Sequence, residues 1–363
     1  MTSNKDKYIR AALKAANWFV QNQIIEKKPN WDANHGRFPY HVHLPSGYST
    51  MGLNWTMARA VMVLLSAYNA TKKKVYFESA AHAIAYNKTL QILDARDPNF
   101  GAIHEETPQS PFCYPRDAIE TIQGFLMFYR VTDDKDLLYR ADIYLKWYLK
   151  KALLKHPEIG KWTIPEVRFD GGKPMLTAAG AYQGGGGKVF YNAYLLMGKP
   201  EYKKACITLA DGYVDYWLVK REEGAAWHMG ANDDGAAMSL LSAYKLTGNR
   251  KYLDSVKKMM DRYVEFGRND TNRAGLPCTI NTMIELTKLT GDKSYNKLIQ
   301  ELLAKLLKRQ SSCGGFRGED EPVEWHVKGA DPDDFVVTRV TAYAGLALFK
   351  AAGLRGYGYT VEF

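Results

Sequence analysis

Apolar residues recur three and four positions apart along most of the chain, the spacing of a helix with one buried face. Ile9, Leu13, Ala16 and Val20 form one such stripe. Ile119, Ile122, Leu126 and Tyr129 form another, and Val336, Val340 and Tyr343 begin a third. Five times a stripe stops at a short polar turn, and a Tyr or Leu follows five positions after a fixed mark. The copies are Thr71-Lys-Lys-Lys-Val-Tyr76, Thr132-Asp-Asp-Lys-Asp-Leu137, Met197-Gly-Lys-Pro-Glu-Tyr202, Thr247-Gly-Asn-Arg-Lys-Tyr252 and Thr290-Gly-Asp-Lys-Ser-Tyr295. Glycine after the mark supplies the left-handed conformation that ends a helix, so each turn reads as the bend of a helical hairpin.

Five hairpins, a lone first helix over about 5–27 and a lone last helix over about 335–352 make twelve helices. Marks 61, 65, 50 and 43 residues apart are too irregular for an open solenoid. The expectation is an all-α protein forming a single domain over residues 1–363. That domain would be an (α/α)6 barrel, a toroid of six inner and six outer helices whose first and last members pack together.

In such a barrel all five short bends lie at one end. The long connections lie at the other, over about 28–50, 95–115, 153–183, 219–233, 268–274 and 310–334. These connections hold every histidine except His82, and also Trp31, Trp162, Trp227 and Trp325, with Trp55 just inside the next helix. Long loops on a rigid scaffold carry binding and chemistry, so this rim is the expected working face.

Composition narrows the class. The 363 residues are 46% hydrophobic and 24% charged, as in ordinary globular proteins. No run of eighteen apolar residues offers a spanning helix. The first residues are polar and lead into an amphipathic stretch unlike a secretory leader, so the expected location is the cytoplasm, with a removed signal peptide as the alternative. Cys113, Cys206, Cys278 and Cys313 form no CxxC pair, which argues against a zinc ribbon or a disulfide framework. Lys and Arg exceed Asp and Glu by ten, which favours an anionic partner in general terms. The surplus is scattered over helix surfaces and no nucleic-acid module is recognisable, so neither a nucleic-acid nor a membrane partner is expected. The oligomeric state stays open.

Carboxylates at the starts of inner helices are the first candidates for chemistry. Asp117 sits in Tyr114-Pro-Arg-Asp-Ala-Ile-Glu120, Asp233 and Asp234 precede Gly235, and Asp333 and Asp334 precede the last helix. The competing reading is helix capping, and Asp117 with Glu120 resembles a capping box. Carboxylates gathered at one depression can be driven apart in pKa, giving the acid and base that glycoside hydrolysis requires. The loop tryptophans suit stacking on pyranose faces or lidding the core. Among Arg37, Arg116, Arg168, Lys188, Arg317 and Arg339, one or two could clamp a substrate carboxylate. His41-x-His43 with His35 lacks a completing ligand, so no metal or other cofactor is expected. Gly184 to Gly187 lacks the register of a P-loop and reads as a close backbone approach. Asp331-Pro-Asp-Asp334 and Gly314-Gly-Phe-Arg-Gly318 echo terpenoid cyclases and prenyltransferases, whose other signatures are missing here.

Two stretches resemble the six-hairpin glycosidases, specifically the unsaturated glucuronyl and rhamnogalacturonyl hydrolases. Trp325-His-Val-Lys-Gly-Ala-Asp-Pro-Asp-Asp-Phe335 is similar to the segment that opens that family's last inner helix. His228-Met-Gly-Ala-Asn-Asp-Asp-Gly235 resembles its His-x-Gly-Asn loop. The resemblance implies cofactor-free hydration of a terminal unsaturated uronic acid, with an aspartate as acid and base. By position Asp117 matches one family aspartate. The second should open the third inner helix, where Tyr182-Gln183-Gly184 stands, and Ala236 to Leu240 replace an arginine-and-tryptophan signature.

The resulting expectation is a glycoside hydrolase acting on short, uronic-acid-containing oligosaccharides. Asp117 would be the acid/base group, with His228 and Asp234 near the reacting ring and Asp234 or Glu106 as its partner. Arg116, Arg339 or Lys188 would hold the substrate carboxylate, while Trp55, Trp227 and Trp325, with His326, would contact the sugar. The alternatives are a polysaccharide lyase using Tyr40, His41, Tyr114 or His228, a non-catalytic carbohydrate-binding toroid, and a terpenoid-cyclase-like toroid.

Overall fold

A computed structural model describes residues 4–26, 34–155, 162–163, 166–172, 186–217, 231–266, 273–318 and 323–354. Its helices follow the hairpin reading closely. They are α1 (Asn4–Asn22), α2 (Asn54–Thr71), α3 (Lys74–Thr89), α4 (Pro115–Thr132), α5 (Lys135–Trp147), α6 (Gly186–Met197), α7 (Pro200–Gly212), α8 (Ala231–Thr247), α9 (Arg250–Phe266), α10 (Gly275–Thr290), α11 (Asn296–Lys308) and α12 (Thr338–Ala351). Turns of π-helix extend α5 and α7.

All five bends share one construction. The residue after each mark is left-handed, at Lys72, Asp133, Gly198, Gly248 and Gly291, with φ between 56° and 72°. Each returns its N–H to the carbonyl four residues back. Where the mark is threonine, its hydroxyl donates to the carbonyl four residues earlier and accepts the N–H two residues later, as at Thr71, Thr132, Thr247 and Thr290. That cap holds the bend even where Lys72 and Asp133 replace glycine. The Tyr or Leu five positions on is buried, and in three copies a tyrosine hydroxyl reaches another helix: Tyr76 to Asn17, Tyr202 to Asp142 and Tyr252 to Asp211.

The chain divides into two compact units, residues 1–87 with 271–358, and residues 88–270 with 359–363. In the first unit α12 packs against α1, α2 and α10, so the first and last helices meet as expected. Tyr8 of α1 donates to Gln300 of α11. Helix α2 is apolar on nearly every side, with Met57 to Leu65 fully or almost fully buried, the pattern of an inner helix. Helix α11 buries one stripe only, Leu298, Ile299, Leu302, Leu303 and Leu306, the pattern of an outer one. A small antiparallel sheet lies beside them: β1 (Pro39–His43) between β2 (Ser49–Met51) and β7 (Phe335–Val337), with His41 opposite Val337 and His43 opposite Phe335.

The second unit holds the hairpins α4/α5, α6/α7 and α8/α9, with α6 packed on α4, α7 and α8. The described part of the glycine run explains itself here. A Cβ on Gly186 would sit 3.3 Å from Ile119, and one on Gly187 would sit 2.6 Å from the Ser239 side chain, so glycine lets α6 approach its neighbours. Short ribbons pair Phe112–Cys113 (β3) with Val167–Arg168 (β6), and Leu154–Lys155 (β4) with Trp162–Thr163 (β5).

Three crossings carry a clasp that the sequence did not suggest. Gln23, Gln91 and Gln310 each donate from Nε2 to a loop glycine carbonyl and to a carbonyl of an outer helix. The paired acceptors are Gly36 and Ser79, Gly101 and Arg140, and Gly314 and Ala11. Each glycine has positive φ, and its Cα faces a carbonyl three residues further along that helix, of His82, Ile143 and Lys14.

Candidate active site

In the second unit the chemistry gathers where β3 runs into α4. Tyr114 is the N-cap of α4, Pro115 is its first residue and Asp117 its third, and the Tyr114 side chain makes no capping hydrogen bond. The capping-box reading is therefore corrected. The Asp117 N–H donates to the Tyr114 carbonyl at 2.8 Å, leaving its carboxylate partly exposed, at 26% of the side chain. Exposed backbone N–H groups at a helix start favour an anion there. Arg116 Nε lies 3.7 Å from Asp117 Oδ2, and the guanidinium sits over the Tyr114 ring. Glu120, the other half of the supposed box, is buried and pairs with Lys188 at 2.8 Å. Lys188 has no exposed surface. Its ammonium is thus placed to neutralise Glu120 rather than to meet a ligand in this state.

Two further carboxylates converge on the same turn. Glu105 is buried and its Oε2 accepts the Tyr114 N–H at 2.8 Å, whereas Glu106 is exposed. Glu166, also buried, directly precedes β6, and Tyr114 directly follows β3, so the antiparallel ribbon brings them to the same end. Burial, hydrogen bonding to Glu166 and the negative charges of Glu166 and Glu105 raise the Tyr114 phenol above its ordinary value, while Arg116 opposes them. Burial pushes the Cys113 thiol well up, and Glu105, Asp117 and Glu166 push it the same way. Cys113 is therefore a neutral thiol surrounded by acids. Arg168 contacts Glu166 and also Asp170, which it holds at about 2.

The first unit carries a separate aromatic group. His41, fully buried, faces the half-buried His326 with ring centroids 4.4 Å apart, and Tyr40, Tyr48 and Phe335 surround them. Trp325 stands 78% exposed beside them in sequence. Trp55 opens α2, and Arg59, buried, lies over the rings of Trp55 and Tyr343. Arg339 is the half-buried second residue of α12. Asp331 caps the short turn before β7 by accepting the Asp333 N–H, and Asp333 binds Arg273. His35 faces His82 rather than His41. Among the described residues no group of three or more His, Cys, Asp or Glu side chains is placed to hold a metal ion. Among them, too, no helix is long and apolar enough to cross a membrane.

His228 and Trp227 lie outside the described residues, and of Asp234 only its place in the first turn of α8 is described. Sequence reasoning missed Glu105, Glu166 and Tyr48. Glu105 adjoins Glu106, and an acidic pair in a loop carries no period that tells which side chain turns inward. Glu166 is brought to Tyr114 by a two-residue ribbon that no pattern announces.

No protein-family model matches the sequence, and no curated protein matches it. Solved structures do. A cellobiose 2-epimerase from Bacillus thermoamylovorans aligns over 96% of this chain and 99% of its own, at 13% identity and TM-score 0.67. The α-1,6-mannanase of a Salegentibacter species aligns over 96% and 99%, at 14% identity and TM-score 0.66. An unsaturated glucuronyl hydrolase specific for heparin aligns over 97% and 98%, at 14% identity and TM-score 0.65. The fold is thus the all-α, (α/α)6 toroid fold of six-hairpin enzymes, and the resemblance noted in the sequence holds at that level.

Proposed function

We propose that this chain is a carbohydrate-processing enzyme, a glycoside hydrolase that acts on short uronic-acid-containing saccharides. The observation that carries the reading is Asp117, a partly exposed carboxylate that stands third in an inner helix rather than at its N-cap and is flanked by Arg116. A carboxylate so placed can give a proton to a glycosidic oxygen, and the guanidinium beside it can pair with a substrate carboxylate. The fold neighbours support the class: they are sugar epimerases and glycosidases, and the mannanase was also solved with α-1,6-mannotriose. His228 and Trp227, which precede α8 in the sequence, and Asp234 in its first turn are proposed to serve the same reaction. In the first unit, Trp55, Trp325, His326 and Arg339 are proposed as sugar contacts. Lys188 acts through Glu120 by holding α6 against α4.

The test is turnover of lyase-digested acidic polysaccharides, followed by loss of the ultraviolet band of the unsaturated uronide. Asp117→Asn is expected to lower kcat by at least about 100-fold, the usual contribution of a positioned acid, at unchanged melting temperature. Full activity in that variant refutes the assignment. A second reading, sugar epimerisation, rests on the epimerases among the fold neighbours. It predicts exchange of solvent deuterium into an intact saccharide, without cleavage.

A further inference from the structure

The start of α4 is anchored by side chains that lie outside the helix. Tyr114 precedes a proline, which restricts it to extended backbone, and it takes φ −95° and ψ 100° as the N-cap. Its carbonyl accepts the N–H groups of Asp117 at 2.8 Å and Ala118 at 2.9 Å, so its backbone sets where the first turn points. On the other side of the same residue stands Glu105. It is only 3% exposed, and its Oε2 accepts the Tyr114 N–H at 2.8 Å. Such a charge-assisted bond is stronger than one between neutral groups. Glu105 is in turn held by its own N–H, which donates to the Phe112 carbonyl at 3.2 Å. The turn after it is closed by Ser110 Oγ, which accepts the N–H groups of Glu106 and Thr107. Next along α4, the Pro115 carbonyl accepts the hydroxyl of the buried Tyr144 of α5 at 2.9 Å. Two buried side chains thus fix the backbone of the two residues that lead into Arg116 and Asp117.

We propose that Glu105 is the positioning residue of the candidate site, its buried carboxylate fixing the start of α4 so that Asp117 meets substrate in one orientation. This rests on the reading of Asp117 as the acid. Glu105 neither touches substrate nor takes part in proton transfer, and it acts through the Tyr114 N–H alone. The acceptor oxygen is therefore the working feature, and the negative charge is not. Displacing a reacting group by about 1 Å can lower the rate about 100-fold, so a small loss of this anchor is enough to be read in turnover.

The experiment measures melting temperature, and kcat and KM on lyase-digested acidic polysaccharide well below it, for the full chain. The proteins are the unaltered chain, Asp117→Asn, Glu105→Gln, Glu105→Asp and Gly248→Ala. Glu105→Gln keeps an acceptor oxygen at the same reach and removes the charge. Glu105→Asp keeps the charge and draws the oxygens back by one carbon–carbon bond. The expected result is a kcat loss of about 10- to 100-fold in Glu105→Asp, with KM within about threefold, and a kcat within about threefold of the unaltered chain in Glu105→Gln. Gly248→Ala strains the α8/α9 bend, where φ is 68°. It should melt lower at full kcat, which separates lost stability from lost positioning. Full kcat in Glu105→Asp overturns the proposal. So does a loss of about 10-fold or more in Glu105→Gln, even where Glu105→Asp fails to fold. In both cases an inactive Asp117→Asn leaves the glycosidase reading standing. Full activity in Asp117→Asn, or no turnover by the unaltered chain, overturns both.

Discussion

The two ends of the hairpins solve the same problem, reversing the chain, by different means. At the bends the reversal is local: one left-handed residue, one backbone hydrogen bond and a threonine hydroxyl suffice. A Cβ added to Gly198, Gly248 or Gly291 would meet nothing within 4 Å. At the crossings the reversal is held from outside, by a glutamine that bridges loop and helix and by a glycine whose Cα lies against a helix carbonyl. Positive φ is common to both, but only at the crossings does it come with close packing. The bends therefore need a conformation, and the crossings need a conformation and a shape.

Substitutions that add or remove one feature sharpen this contrast. The largest effect is expected at Gly101→Ala, where the methyl would be strained by φ of 94° and would also lie 2.6 Å from the Ile143 carbonyl. Adding the cost of left-handed backbone to that of overpacking gives about 3 kcal/mol or more of destabilisation in denaturant unfolding. Gln91→Ala should follow at about 2 kcal/mol, since two carbonyls lose a donor in a buried place. Gly248→Ala, at φ of 68° in open space, should cost only about 1 kcal/mol. Equal losses at Gly101 and Gly248 would break the comparison. Lys72→Gly should stabilise by up to about 1 kcal/mol, because the bend already has the geometry glycine prefers.

The smallest effect concerns pH and the clasp near Gly36. Burial and the neighbouring His35 lower the His82 pKa below 6.5, so the neutral ring is the form the fold favours. Its contribution is complete above the unfolded value and is lost as pH falls through the lowered one. Thermal melts between pH 7 and pH 5 should show a fall in stability that His82→Gln flattens.

Hairpin number, bend positions and the meeting of first and last helices could be read from the sequence because they rest on repetition. Thr, Gly and Tyr recur at fixed spacing in most of the bends, and periodicity averages over many residues. The clasps recur just as faithfully in space, yet their glutamine–glycine spacings are 13, 10 and 4 residues, so nothing in the chain aligns them. The same limit applied at the candidate site. Asp117 was legible because a helix start announces itself, although its role as a cap was not what the backbone adopted. Glu105 and Glu166 depend on how two loops fold against each other, and Lys188 reads as an exposed cation until its partner Glu120 is seen.

The contact between α1 and α12 has a consequence for the order of folding. One compact unit is assembled from residues 1–87 and 271–358, while residues 88–270 supply most of the other. Helix α1 buries Ala12, Ala15, Ala16, Trp18 and Phe19 largely against partners encoded some three hundred positions later. Closing so long a loop is slow, and until it closes the face of α1 that meets α12 stays uncovered. The intervening hairpins can mature meanwhile, so a helix made well before its partner is among the last to be sealed.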